Sequence, residues 1–506
     1  MRFDATQPEE PVTDKPQTPN QWRTLDKDLG RIIKIEKATQ YVGQPLVAPG
    51  IAFAFILLAA LTAGLFFGKG DTSFVVIAAA ALGAYMALNI GANDVANNMG
   101  PAVGANALTM GGAIVIAALF ESAGALLAGG DVVSTISKGI IDPTGLGDPQ
   151  VFIWAMMSAL VSSALWVNLA TYVGAPVSTT HSVVGGVMGA GIAAAGLSAV
   201  NWTTMGAIAA SWVISPVLGG VIAALFLAFI KHNIIYQDDK IAAARRWVPV
   251  LIGVMAGVFA TYLAMKGLKK IVSIDLPTAL TIGVVIGAIF YVTTAPLIRR
   301  QSEGMENRNR SIKALFVIPL VFSAALLSFA HGANDVANAV GPLAAIVHTE
   351  EFGSFAAKVE IPTWVMVIGA LGISFGLFLF GPKLIQMVGS QITKLNPMRA
   401  YCVALSAAIT VIVASWLGLP VSSTHIAVGA VFGVGFYREY HLERRKKKGA
   451  KLKPPEKLPA AERKRRKLVR RSHFMTIVAA WVITVPAAAV LSSLVFYLIH
   501  ILRAVA

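Results

Sequence analysis

The sequence predicts an all-α polytopic membrane protein: two inverted-topology repeats with broken or hairpin helices meeting near the midplane, about 12 core spans plus one extra amino-terminal span. Three observations carry that expectation. Of 506 residues, 56% are hydrophobic and only 13% charged, against roughly 25% charged in an ordinary soluble domain. Apolar stretches of the roughly 20 residues that cross a bilayer core of about 30 Å recur along the chain. Two long motifs each occur twice, in the same order.

In chain order, residues 1–45 are polar and proline-rich, lack the short apolar core of a cleavable signal, and read as a cytoplasmic tail. An extra span follows at 46–68. The first repeat, 72–230, carries apolar stretches at 72–100, 111–129, 151–173, 176–199 and 203–230. A linker, 231–313, holds two more at 248–265 and 276–298. The second repeat, 314–501, has stretches at 314–340, 362–382, 399–419, 420–437 and 473–501. That makes about thirteen crossings, of which 176–199 and 420–437 read equally as re-entrant hairpins.

The repeat is read from GANDVANNMGPAV at Gly91, which returns as GANDVANAVGPLA at Gly332, an offset of 241. GAPVSTTHSVVGGVMGAG at Gly174 returns as GLPVSSTHIAVGAVFGVG at Gly418, an offset of 244, and SWVISP at Ser211 has a weaker echo in AWVITV at Ala480. Charge orients the copies. Net charge is +16, and residues 438–471, with 16 Lys/Arg and 4 Asp/Glu, supply +12 of it. A nucleic-acid binder would carry its basic face on a soluble fold, whereas this run lies between apolar stretches and reads as a cytoplasmic loop that also touches anionic lipid heads. Its counterpart in the first copy, GLSAVNWTT from Gly196, is uncharged, so corresponding connectors face opposite sides. Loop 130–150 (Asp131, Asp142, Asp148 against Lys138) and its basic counterpart near 383–399 (Lys383, Lys394, Arg399) agree, as does basic loop 299–313; the connector with Lys266, Lys269 and Lys270 is a mismatch. The amino terminus is then inside and the carboxy terminus outside, in a multi-pass cell-membrane protein. The single cysteine, Cys402, excludes an intramolecular disulfide and any multi-cysteine metal cluster. There is no nucleotide motif, HExxH or GxSxG, so no enzyme is expected.

The chemistry sits in the repeated motifs. Asp94 and Asp335 fall within apolar stretches, where each charge costs roughly 2.5–3.5 kcal/mol and needs a partner. On a helix, Asn93, Asp94 and Asn97, and again Asn334, Asp335 and Asn338, gather a carboxylate and amide oxygens within one turn. Hard oxygen donors suit Na⁺ or a proton-carrying carboxylate; the alternative is a structural network locking helices together. Gly100-Pro101 and Gly341-Pro342 are expected to weaken the helix and free carbonyls. Pro176 and Pro420 mark new helix starts, with Ser178, Thr179, Thr180 and Ser422, Ser423, Thr424 as N-cap and first-turn hydroxyls. A helix start inside a membrane is an anion site, and added hydroxyl donors favour a tetrahedral oxyanion; the alternative is interhelical packing by small polar residues. His181 and His425 are placed to touch the anion or carry protons, or else to pack. Glu121 is a third buried acid whose counterpart is Ile373; it reads equally as a coupling-ion ligand or an acid reaching a watery vestibule. Lys138 and Lys394 read as snorkelling anchors.

These doubled GANDVAN and PVS(S/T)TH motifs resemble the inorganic phosphate transporter (PiT) family of sodium- or proton-coupled phosphate symporters, over roughly residues 72–501. The resemblance implies a twelve-span core of inverted repeats, coupling cations (Na⁺ or H⁺) at Asp94, Asn97, Asp335 and Asn338, and phosphate at the six hydroxyls. The intact GANDV in both halves is closer to the sodium-coupled members, while proton or metal-phosphate symport and sulfate transport are family alternatives. Bringing a phosphate dianion into a negative interior costs roughly 2 × 2.3 kcal/mol per 100 mV. Uptake therefore requires at least two cations for neutrality, whereas a passive anion channel would use the same helix ends without the carboxylates. No cofactor is expected, and a homodimer is left open.

Overall fold

The computed structural model describes residues 46–66, 73–173, 177–267, 274–353, 361–391, 395–447 and 471–505. The described residues are helical apart from turns and one isolated β-bridge, Ile141–Val200. The chain divides at Phe53 into a unit of residues 1–53, described from Leu46 as helix, and a unit of Ala54–Ala506. The helix begun in the first unit is α1 (Leu46–Phe66).

The first repeat comprises α2 (Ser73–Gly104), α3 (Met110–Ala128), α4 (Gly130–Lys138), α5 (Pro149–Val173), α6 (Thr179–Ala195) and α7 (Trp202–Ile230). The linker forms α8 (Lys240–Lys266), α9 (Leu276–Gln301) and the short α10 (Asn309–Leu315). The second repeat comprises α11 (Val317–Asp335), α12 (Ala337–Phe352), α13 (Thr363–Gln391), α14 (Pro397–Trp416), α15 (Ser423–Lys447) and α16 (Arg471–Val505). Polar N-caps set the starts: Thr109, Asn201, Asp239 and Asn396 each accept a backbone N–H three residues on, at 3.2, 3.0, 2.9 and 3.0 Å.

Among the described residues eleven helices are long and apolar enough to cross a membrane, not the thirteen expected. The two that drop out are 176–199 and 420–437. Helix α6 has only 17 residues, about 25 Å at 1.5 Å per residue, short of the bilayer core. Helix α15 is 25 residues long but ends in the basic ERRKK run. Other expectations shift too. Loop 130–150 contains α4, which buries Val132, Val133 and Ile136. Lys383 lies inside α13, not in a loop. Pro101 and Pro342 do not break their helices, which continue to Gly104 and Phe352. What each proline removes is the N–H that the carbonyl of Asn97 or Asn338 would accept. The tail 1–45, Pro176, Lys394, Lys269, Lys270 and loop residues 448–470 lie outside the described residues.

The two repeats pack by exchange. A Cβ on Gly91 of α2 would lie 1.9 Å from the Ile373 carbonyl oxygen of α13; one on Gly332 of α11 would lie 2.1 Å from that of Glu121 in α3. A Cβ on Gly376 would likewise lie 2.0 Å from Leu88 O, and one on Gly124 2.0 Å from Phe329 O. At the other pair of interfaces, Gly185 and Gly189 of α6 abut Val485 and Ala489 of α16, and Gly429 and Gly433 of α15 abut Pro216 and Gly220 of α7. Swapping each residue for its counterpart converts one set of contacts into the other. Backbones come this close only where Cβ is missing.

The basic segments gather at one end. Helices α7 and α8 have 29 and 27 residues, about 40 Å each at 1.5 Å per residue. At the end of α7 and start of α8, Tyr236 Oη lies 2.6 Å from His441 Nε2, Lys231 sits over the Tyr437 ring, and Asn307 bonds the Asp238 carbonyl at 2.7 Å. At the other end, Asn201 N–H donates to Ile140 O and Asp142 N–H to Ala199 O, both 2.9 Å. Lys266 pairs there with Asp131, so the mismatched connector has part of its charge neutralised by the acidic loop.

Candidate functional site

Ser178 and Ser422 are the N-caps of α6 and α15. Their Oγ atoms accept the His181 and His425 N–H at 3.1 and 3.4 Å. The next two hydroxyls of each tip, in the first turn, point at the aspartates of the GANDVAN helices, which sit between the tips. Thr179 Oγ1 donates to Asp94 Oδ2 at 2.9 Å and Thr424 Oγ1 to Asp94 Oδ1 at 3.0 Å. On the other aspartate, Ser423 Oγ lies 3.4 Å from Asp335 Oδ2 and Thr180 Oγ1 3.4 Å from Asp335 Oδ1. Asn97 donates to Thr424 at 2.8 Å and to Asp94 at 3.2 Å; Asn338 donates to Thr180 at 3.2 Å and to Thr179 at 3.4 Å. Each aspartate thus holds one hydroxyl from its own repeat and one from the other. All of these side chains are buried.

Asn93 and Asn334 take a different place. Asn93 donates to Thr171 at 2.9 Å, and Asn334 to Ser415 at 2.9 Å and to the Leu419 carbonyl at 3.2 Å, while its own oxygen accepts the Val421 N–H at 3.2 Å. Thr171 and Ser415 are counterparts at the 244 offset, so each asparagine ties a GANDVAN helix to the end of the helix that precedes a tip. His181 and His425 meet each other, ring centroids 4.5 Å apart and edge-on, and His181 packs on Trp212 at 3.8 Å. Trp212 Nε1 in turn donates to the Pro420 carbonyl at 3.1 Å.

The sequence reading missed His331. Its Nε2 lies 2.7 Å from Asp335 Oδ2 and 3.8 Å from Asp94 Oδ2, and its Nδ1 3.3 Å from Glu121 Oε2. Glu121 Oε1 accepts from Asn98 at 2.9 Å. The row Asn98–Glu121–His331 exists in one half only, for the counterparts are Ala339, Ile373 and Ile90. Comparing the two copies position by position would have shown three polar-for-apolar replacements.

The electrostatics follow from the inventory. Glu121, Asp94 and Asp335 are at most 1% exposed and face one imidazole, also fully buried. A neutral histidine has one N–H for two carboxylates, and an imidazolium has two. Full ionisation of the three carboxylates, even with His331 protonated, leaves two negative charges in excess. The ligand atoms of Asp94, His331 and Asp335 lie within 4.8 Å of one another, and the side-chain oxygens of Asn93 and Asn338 are buried without a partner. The centre is a dense set of buried oxygen atoms, the donor type that hard cations favour.

Glu121 and His331 allow a direct test. Either Glu121→Ile or His331→Ile, installing the apolar residue of the opposite half, strands a buried partner and is expected to cost about 3–5 kcal/mol. The double substitution is expected to recover much of that loss, with thermal unfolding in detergent as the readout; strict additivity of the two losses would show that the pair is not coupled.

A many-spanned helical bundle with paired helix starts and buried carboxylates at its centre is the build of a membrane transporter. The comparisons with known proteins narrow this: the chain belongs to the phosphate transporter family, whose model matches residues 90–492. A protein of Helicobacter pylori strain J99 named "Putative phosphate permease" is 44% identical, over 93% of this chain and 98% of its own length. A relative of the same description from Pyrococcus abyssi is 36% identical over 83% of this chain and 96% of its own. Among solved structures, one titled "The sodium-dependent phosphate transporter" superposes with a TM-score of 0.76 at 34% identity, covering 84% of this chain and 99% of that one.

Proposed function

We propose that this protein imports inorganic phosphate by symport with cations, Na⁺ foremost, through alternating access of a site between the two repeats. The observation that carries the reading is the pair of buried aspartates set directly against two hydroxyl-rich helix starts. An anion approaching the tips meets Asp94 and Asp335 first, and a like-charge pair at 4 Å costs about 4 kcal/mol at an effective dielectric of 20. Cations must therefore load before phosphate. Two Na⁺ ions, held by the aspartates and the Asn97 and Asn338 groups, cancel the excess. The six hydroxyls and the positive ends of α6 and α15 are then available to phosphate oxygens. In this reading the repeats are inverted across the bilayer, and the basic end of the bundle is cytoplasmic by the positive-inside rule.

The test is uptake of labelled phosphate into proteoliposomes, with sodium replaced by choline, with a proton uncoupler, and with excess sulfate. Symport with sodium predicts that uptake collapses in choline, survives the uncoupler, and is not competed by sulfate. Downhill equilibration alone, with no uptake against a gradient, would leave only a passive channel. A second reading, proton-coupled symport, is favoured by one feature: His331 between Glu121 and Asp335 is a ready proton carrier. It predicts the opposite pair of results, loss with uncoupler and persistence in choline.

A further inference from the structure

At the basic end of the bundle, α8 and α9 open into a cavity of about 570 Å³ whose polar walls are Arg245, Arg246, Arg299, Tyr291 and Glu303. Arg245 is anchored: its Nε donates to Ser302 Oγ at 2.6 Å. Arg246 lies against the Trp247 ring. None of the three guanidiniums has a carboxylate within ion-pair distance among the described residues, and Glu303 offsets only one of their charges. Tyr291 also lines a second cavity, of about 430 Å³, along the same helix pair. Its floor is Gly253, Gly257, Gly283 and Gly287, where the two helices touch and a Cβ on any of the four would lie within 2.8 Å of the facing backbone, and its walls include the outward-facing Val254 and Val284. From Tyr291 to Leu280 the groove spans eleven residues of helix, about 16 Å, which is one leaflet of a bilayer core of about 30 Å. Helix α9 packs chiefly on α8 and is otherwise at the edge of the bundle, so the groove opens toward the membrane.

We propose that this cup and groove hold one anionic glycerophospholipid, its phosphate between the arginines and one acyl chain along the glycine floor. Three features select that occupant. Guanidiniums match phosphate oxygens in a bidentate way. A tyrosine stands where headgroup gives way to chain, the usual place of an amphipathic ring in a membrane. The apolar groove has the length of one leaflet and begins where the charged cup ends. The site shares no residue with the aspartate–hydroxyl centre, and the proposal holds whichever ion drives transport.

The test uses the full-length protein released from nanodiscs containing equal phosphatidylglycerol and phosphatidylcholine, with retained lipid counted by native mass spectrometry. The expected result is selective retention of phosphatidylglycerol. It should fall about tenfold in Arg246→Gln/Arg299→Gln and also in Val284→Trp, which fills the groove. Phosphate uptake in phosphatidylcholine vesicles and elution volume should match the parent protein in both variants, showing that they fold. Equal retention of the two lipids by the parent, or undiminished phosphatidylglycerol in the arginine variant, overturns the proposal. Displacement of the lipid by millimolar glycerol phosphate, or loss only in the arginine variant, would point to a soluble-anion cup and also overturn it. So would crosslinking of two copies through a cysteine at Val254.

Discussion

Replacing Asp94 with asparagine is expected to abolish cation-driven phosphate uptake, by at least about 100-fold, while leaving the protein folded. Asp94 accepts Thr179 of its own repeat and Thr424 of the other, along with Asn97. Asparagine keeps the shape but presents one acceptor oxygen and an NH₂ group that cannot accept. With the NH₂ in the place of Oδ2 the Thr179 bond is lost. The larger loss is the attraction of a carboxylate for a cation, about 4 kcal/mol at 4 Å and an effective dielectric of 20, which is more than two decades at about 1.4 kcal/mol each. Proteoliposome uptake with sodium on the outside measures the effect, and size-exclusion elution controls for folding. Asp335→Asn should behave alike because the same exchange of hydroxyls surrounds it. Uptake within about twofold of the parent in both variants would remove the carboxylates from the coupling role.

Gly332→Ala is expected to prevent accumulation of folded protein. The added Cβ would stand 2.1 Å from the Glu121 carbonyl oxygen and 2.7 Å from its Cα, atoms that no side-chain rotation can move aside. Helices α3 and α11 would have to separate by more than an ångström along a tightly packed seam. Overpacking usually costs about 1–3 kcal/mol, and this seam also sets the distance between Glu121 and His331, so the loss is expected at the upper end or beyond. Gly91→Ala should be equally damaging, with its Cβ 1.9 Å from Ile373 O. The control is Gly206→Ala, where nothing lies within 4 Å; there alanine should stabilise the helix by about 0.5–1 kcal/mol. Thermal unfolding of detergent-solubilised protein followed by size exclusion separates these outcomes. An intact, stable Gly332→Ala protein would mean that the two repeats do not interlock as described.

Much of this molecule was legible in its residues because the physics behind it is local. Membrane spans follow from runs of apolar side chains, and ten of the apolar stretches read from the sequence lie on spanning helices at nearly the expected places, as does the extra amino-terminal one. Helix starts at Ser178 and Ser422 follow from hydroxyls that cap backbone N–H groups three residues away. Duplication is a property of the string itself, and the offsets of 241 and 244 pair Gly91 with Gly332 and Gly185 with Gly429, which take matching places in the fold. Where the reading fell short, the cause was length or context: α6 is a good helix too short to span, and Pro101 and Pro342 are tolerated because the helices around them are buried against neighbours.

The centre itself was decided by tertiary structure. That Thr424 lies on Asp94, 330 residues away, and Thr180 on Asp335, 155 away, depends on how two halves pack, and no spacing along the chain encodes it. Asn93 and Asn334 share their helices with the aspartates yet turn to the neighbouring hairpins. His331, alone in an apolar run, looks like a packing residue until folding sets it between Glu121 and Asp335. Hydropathy and capping act within a turn or two of the chain and so leave their mark in sequence. A buried charge is stabilised only by whatever the rest of the fold places within a few ångströms, and that distance exists only after the halves have come together.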